Sequence, residues 1–147
     1  MIQRIQSLYL LASAALVAVA TCFNFAVFLG EHVVTFSPYA IISSKPNSEA
    51  QQMITLAVSM WVMAVVSIGA IFSYKNRKLQ MNIIRYMCVF KIALIAFVAI
   101  FVYRLITGVP QLEASSLLFV ISIITDILAF FAIRKDERLV RSIDRIR

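Results

Sequence analysis

The chain has 147 residues, 62% of them apolar and only 14% charged, with three glycines and three prolines. A soluble domain of this size has too much surface for its volume to hide that share of apolar side chains, so composition excludes one and points to lipid as the solvent. The net charge is +7, but the basic residues lie at the ends of apolar runs and are not interleaved with aromatics along a face. That pattern excludes a nucleic-acid binder and matches a membrane orientation signal.

Four apolar runs and their connectors use up the chain, and each run is close to the roughly 20 residues that a span requires. The first, about 5–29, contains Ala18-Val19-Ala20, which resembles a signal-peptide cleavage site, and Val19-Ala20-Thr21-Cys22, which faintly resembles a lipobox. The apolar run continues past both, to about 25 residues where a signal core has about 7–15, and Thr21 is large for its place in a lipobox; a retained span is expected. The connector 30–52 holds His32, Pro38 and Pro46. Within it, 32–36 is rich enough in β-branched and aromatic residues for a short strand, and 43–48 reads as a polar turn.

The second span, about 53–74, carries Ala57, Ser59, Ala64, Ser67, Gly69 and Ala70, small residues that let helices approach closely in lipid. The segment 75–85 is too short for a domain and is expected to be helix ends joined by a tight turn. The third span, about 86–106, includes Lys91 and Arg104; Thr107-Gly108-Val109-Pro110 ends it, because proline cannot continue a helix. The fourth span, about 114–133, includes Asp126 and is followed by a charged tail, 134–147.

Orientation follows from the basic residues. Arg4, Lys75, Arg77, Lys78, Arg85, Arg134, Lys135, Arg138, Arg141, Arg145 and Arg147 all fall on one side, against Lys45 and the edge residue Arg104 on the other. The positive-inside rule then puts both termini in the cytoplasm. In the tail, Leu139, Val140, Ile143 and Ile146 share a face and Glu137 can meet Arg141 at i,i+4. This predicts a short amphipathic helix that lies on anionic lipid or docks on a cytosolic partner.

A carboxylate within hydrocarbon is costly and must face other helices, a partner or water. Asp126 lies about 10 Å from the inner end of its span and Lys91 about 7–8 Å from the same side. The third and fourth spans are consecutive and antiparallel, so a Lys91–Asp126 pair is the natural way to lower the cost of both charges. Ser115, Phe119, Ser122, Asp126 and Ala129 follow four-three-four-three spacing and make one small or polar stripe, with Thr125 adjacent. The pair is structural glue, or Lys91 snorkels to the inner headgroups; alternatively it is a functional site in which Asp126 carries a proton or contacts a substrate with Lys91 as counter-ion, or it is completed by another protein. Arg104 and Glu113 form an interfacial pair or snorkel.

Other chemistry lacks its residues. No histidine lies in a span, so a bis-histidine haem within one chain is excluded. No Cys/His cluster has metal-ligand spacing, and there is neither a phosphate loop nor an activated nucleophile. No metal or cofactor is expected. Cys22 and Cys88 lie towards opposite ends of their spans, too far apart for a disulfide, and are read as buried packing residues; His32 is a lone loop histidine, and Trp61 is read as packing within its span.

The opening Met1-Ile2-Gln3-Arg4-Ile5-Gln6 with Tyr9-Leu10, the segment Asn76-Arg77-Lys78-Leu79-Gln80, and the tail Lys135-Asp136-Glu137, Leu139-Val140-Arg141-Ser142 and Asp144-Arg145 resemble a family of small bacterial four-span inner-membrane proteins classed as a domain of unknown function. The resemblance covers the full length and implies a four-helix inner-membrane protein with no established activity. Its most recognisable residues are cytoplasmic, which directs attention to the inner face.

The expected fold is all-α: a single membrane domain, 1–147, forming a four-transmembrane-helix bundle with a short amphipathic C-terminal helix and cytoplasmic termini. The leading functional reading is a non-enzymatic accessory or interaction subunit. Its basic cytoplasmic face (Arg77, Lys78, Arg138, Arg141, Arg145) would meet another membrane or cytosolic protein. The alternative is a small transporter or channel-like protein, alone or as a homo-oligomer, using Lys91 and Asp126 with Ser115, Ser122 and Thr125.

Overall fold

The computed structural model describes residues 3–45, 49–106 and 108–144. The order is α1 (Gln3–Thr21), β1 (Ala26–Leu29), β2 (Val34–Phe36), β3 (Ala40–Ser43), β4 (Gln51–Gln52), α2 (Ile54–Phe72), a 3-10 turn (Ser73–Lys75), α3 (Arg77–Leu105), β5 (Val109–Leu112) and α4 (Ala114–Asp144). Four helices form the body. Three of them are long and apolar enough to cross a membrane over Ile54–Phe72, Arg77–Arg104 and Ala114–Leu139; α1 is apolar over the shorter Ile5–Thr21.

The fold is not all-α. The loops at one end of the helices assemble a five-stranded antiparallel sheet in the order β4-β3-β2-β1-β5. The first apolar run therefore does not stay helical to residue 29. At Thr21 the side-chain hydroxyl donates to the Val17 carbonyl (2.7 Å), and the Cys22 amide turns back to Val19 (3.0 Å), closing the helix. After it, Ala26, Val27, Phe28 and Leu29 alternate between buried and more exposed positions, as a half-buried strand does. The short strand expected over 32–36 forms over Val34–Phe36, while the polar turn falls partly on residues 46–48, outside the described residues. Ala26 pairs with both Phe36 and Leu112, so β1 is an interior strand that links the two connectors.

β5 replaces the expected simple break after the third span. Pro110 is tolerated because β5 is an edge strand, where a missing N–H need not cost a ladder bond. Gly108 enters it at φ 142°, and a Cβ there would lie 2.9 Å from the Leu29 carbonyl oxygen. Only glycine fits that close approach without strain. Ala26, Phe28, Phe36 and Ile41 form the sheet's inner face and pack with Leu56 against Leu94, Val98 and Val102.

Two helix boundaries also differ from expectation. α3 begins at Arg77, nine residues before the expected start at 86, because Asn76 caps it: its Oδ1 accepts from the Leu79 amide (3.2 Å). The tail is no separate amphipathic helix. It continues α4 to Asp144, since Arg, Lys and Glu propagate a helix well and no glycine or proline follows Pro110. Leu139 is exposed; the side chains of Val140, Arg141, Ile143, Arg145 and Ile146 lie outside those described. Cys22 is exposed, not buried, because it follows the last turn of α1, and Cys88 is half-buried. Trp61 is likewise exposed and donates through Nε1 to the Tyr39 hydroxyl (3.1 Å), tying α2 to the sheet.

α1 packs most extensively against α4 and α2, and α3 packs mainly on α4. Two apolar layers fill the bundle. One comprises Val17, Ala20, Met60, Met63, Ala64 and Phe119, and the other Leu10, Ala70, Ile84, Ala129 and Ile133.

Candidate functional site: a buried charge cluster between two apolar layers

The positions between those layers on every helix carry polar residues. Ser13 lies between Leu10 and Val17, Ser67 between Ala64 and Ala70, Lys91 between Ile84 and Leu94, and Ser122 and Asp126 between Phe119 and Ala129. All five are 0% exposed. On α4, Ser115, Phe119, Ser122, Asp126 and Ala129 are all buried.

Lys91 Nζ donates to Asp126 Oδ2 (2.7 Å), Ser13 Oγ (3.0 Å) and Ser122 Oγ (3.1 Å). An ammonium has three protons, so each has an acceptor. The cation thus ties α3 to α1 and α4 at once. The serines do not depend on it for their own protons: Ser122 Oγ donates to the Phe119 carbonyl (2.6 Å) and Ser13 Oγ to the Ser122 carbonyl (3.3 Å). Thr125 Oγ1 donates to the same Ser122 carbonyl (2.8 Å). Two buried oxygens in this layer, Asp126 Oδ1 and Ser67 Oγ, have no hydrogen-bond partner among the described residues.

Ser115 belongs elsewhere. Its hydroxyl donates to the Asn24 carbonyl and pins the start of α4 to the chain leaving α1. Arg104 and Glu113 are both exposed, and the two ion pairs found among the described residues do not involve them. His32 is exposed, and no group of three or more metal-ligating residues occurs among the described residues.

The opposite end of the bundle, away from the sheet, has its own polar contacts. Arg77 and Asp136 form an ion pair (2.7 Å), with side chains 25% and 11% exposed. Gln6 Nε2 donates to the Ala132 carbonyl (3.3 Å) and Gln80 Nε2 to the Ala70 carbonyl (3.0 Å). The Arg85 guanidinium lies 5.9 Å from the centre of the Phe130 ring, within cation–π range. Of the predicted basic face, Arg77 is thus half-buried and paired, and Lys78 and Arg138 are exposed along with Arg134 and Lys135.

Sequence reasoning missed Ser13 and Asp136. Asp136 continues the stripe, since 122, 126, 129, 133 and 136 keep the same four-three spacing. Ser13 follows an equivalent stripe on α1 with Gln6, Leu10, Val17 and Ala20, all buried.

Long apolar helices closed around a fully buried ion pair define the class, a membrane protein built on apolar helices. The chain belongs to the family described as Domain of unknown function (DUF4293), whose model matches residues 2–146. A search among curated proteins finds no match.

Proposed function

We propose that this chain is a non-enzymatic accessory or interaction subunit of the bacterial inner membrane, with four spans, both termini cytoplasmic and a basic inner end that meets another protein. The observation that carries this reading is the length of α3 and α4, with 29 and 31 residues. At 1.5 Å per residue they run for about 43 and 46 Å, against about 30 Å of hydrocarbon. Their other ends are held at the sheet, so the excess of about 13–16 Å emerges together at the basic end. Arg77–Asp136 joins the two there. A helix that continues straight out of its span stands up from the lipid surface, which suits contact with a protein better than lying flat on headgroups.

In this reading the Lys91 cluster is a staple that holds α1, α3 and α4 in register. Its support is that every ammonium proton has a fixed acceptor and that apolar layers close it off on both sides. The test is purification of the full chain from its membrane in mild detergent, with and without the Lys78→Glu/Arg138→Glu reversal. A stoichiometric protein partner that is lost on reversal is expected. A chain that purifies alone under conditions that preserve known complexes overturns the reading.

One observation favours a second reading, a small transporter or channel-like protein. Asp126 Oδ1 is buried and has no hydrogen-bond partner among the described residues, which leaves a site for a proton or a polar substrate atom. Flux in reconstituted vesicles that Asp126→Asn abolishes would select this reading over the first.

A further inference from the structure

Between α3, the start of α4 and the inner face of the sheet lies a cavity of about 470 Å³. The first half of α3 packs on α4 through Ile84 and Lys91, and its second half faces the sheet through Val98 and Val102. Phe28 and Phe36 of the sheet roof the cavity, and Leu94 and Phe119 close its floor, one helical turn from Lys91 and Ser122. Its walls are aliphatic and aromatic; Ser116, on the wall, donates its hydroxyl to the Glu113 carbonyl (2.7 Å). We propose that this cavity holds one acyl chain of a membrane phospholipid.

Three observations lead to that occupant. The first is the chemistry of the lining. Water requires two or more polar partners to fill a cavity, whereas an apolar cavity of about 150 Å³ already stays dry and takes up an apolar guest. A space of about 470 Å³ with these walls calls for a hydrocarbon.

The second is where it opens. Ile95, Leu117 and Val120 line it and are 37%, 58% and 45% exposed. All three lie inside the membrane-spanning stretches of α3 and α4. At this level the opening is continuous with the lipid-facing surface of the helices, and its upper end reaches exposed Tyr103, Pro110 and Leu112 beside the sheet. What reaches it in place is a lipid chain, because a water-soluble ligand has no aqueous route at that depth.

The third is its length. From Leu105 at its end by the sheet to Leu94 at the floor, α3 rises about 16 Å at 1.5 Å per residue. One leaflet of hydrocarbon is about 15 Å deep, half of the full core. A chain entering from the leaflet on the sheet side reaches the floor with its terminal methyl against Phe119.

The proposal requires only that the chain resides in a bilayer, not that it has a protein partner or carries a solute. The test uses the full chain in bilayers containing a trace of diacyl phosphatidylethanolamine with a diazirine at the end of one acyl chain. After illumination, adducts are mapped to single residues by mass spectrometry. The expected result is labelling of half-buried Leu94 together with Phe119, which is 5% exposed and which ordinary boundary lipid does not reach. Val98→Phe, which sets a ring across the cavity one turn above Leu94, should cut that labelling at least tenfold while leaving label on exposed Ile92 and Phe97. Label restricted to Ile92, Phe97 and Ile100 in the wild-type chain overturns the proposal, and this result stands even if the Val98→Phe chain fails to fold. An unlabelled floor in a sample that native mass spectrometry shows to be dimeric overturns it in favour of a second copy of this chain.

Discussion

Breaking the Lys91–Asp126 pair from one side should cost far more than removing it altogether. In Lys91→Met the three acceptors lose their donor, and a carboxylate that is 0% exposed is left with no cation and no hydrogen bond on either oxygen. In Asp126→Leu the ammonium keeps two serine acceptors but loses its only counter-charge. Leaving one buried partner uncompensated costs about 3–5 kcal/mol, a large part of a total stability on the order of 5–15 kcal/mol. For a chain of this length that is a fall in Tm of roughly 6–20 °C. The double variant Lys91→Met/Asp126→Leu removes both charges at similar volume. Ser13 and Ser122 keep their own protons on backbone carbonyls, so no new unpaired donor appears. It should therefore lie within about 1 kcal/mol of wild type, as replaced buried pairs often do. The cycle then gives a coupling of about 5 kcal/mol or more. Thermal unfolding in mild detergent, followed by far-ultraviolet circular dichroism and by Trp61 fluorescence, measures all four chains. If each single variant costs under about 1 kcal/mol and the two effects add, the charges are hydrated in the folded protein and the staple argument is wrong.

Three further outcomes follow from other parts of the fold. Gly108→Ala forces a side chain into φ 142° and against the Leu29 carbonyl. It should cost about 1–3 kcal/mol and speed amide exchange in β1 and β5 while leaving the helices protected. Arg77→Ala should cost only about 1 kcal/mol, because the pair is partly exposed (25% and 11%). About 1 M salt should erase most of the difference between Arg77→Ala and wild type, whereas salt should leave the Lys91 variants unchanged. Cys22 is exposed beside the sheet, so a membrane-impermeant maleimide should label it from the periplasmic side of intact spheroplasts. Labelling only after the inner face is opened would invert the proposed orientation.

The helices were legible because lipid imposes a simple rule on composition, and the buried stripe on α4 because four-three spacing is a property of the helix itself. The sheet was hidden for the opposite reason. Ala26, Val27, Phe28 and Leu29 are apolar on both faces of their strand, so they extend the preceding helical run without a change of period, and apolar runs of that kind do not tell strand from helix. Their alternation matters only once β5 arrives from about eighty residues further along to pair with them. Register between distant strands is not written in either segment alone. The early start of α3 was readable at Asn76, a preferred capping residue, but charge at Arg77, Lys78 and Arg85 suggested a connector. Those charges instead belong to a helix that outruns the apolar zone.

The place of α1 shows what pairwise reasoning from depth omits. Matching Lys91 to Asp126 needs only two antiparallel neighbours, and it leaves an ammonium with one acceptor and two unmet protons in hydrocarbon. Each unmet proton is a cost that lipid cannot relieve. Ser122 on α4 accepts one of the two, so full satisfaction demanded a further short polar side chain at the same level, from a helix close enough to touch both. The candidates on α1 are few, and Ser13 is the one between Leu10 and Val17 on the buried face. Counting donors before counting charges would have found it. It would also have predicted that α1, the shortest of the apolar segments, must pack at the centre, against α4 and α2.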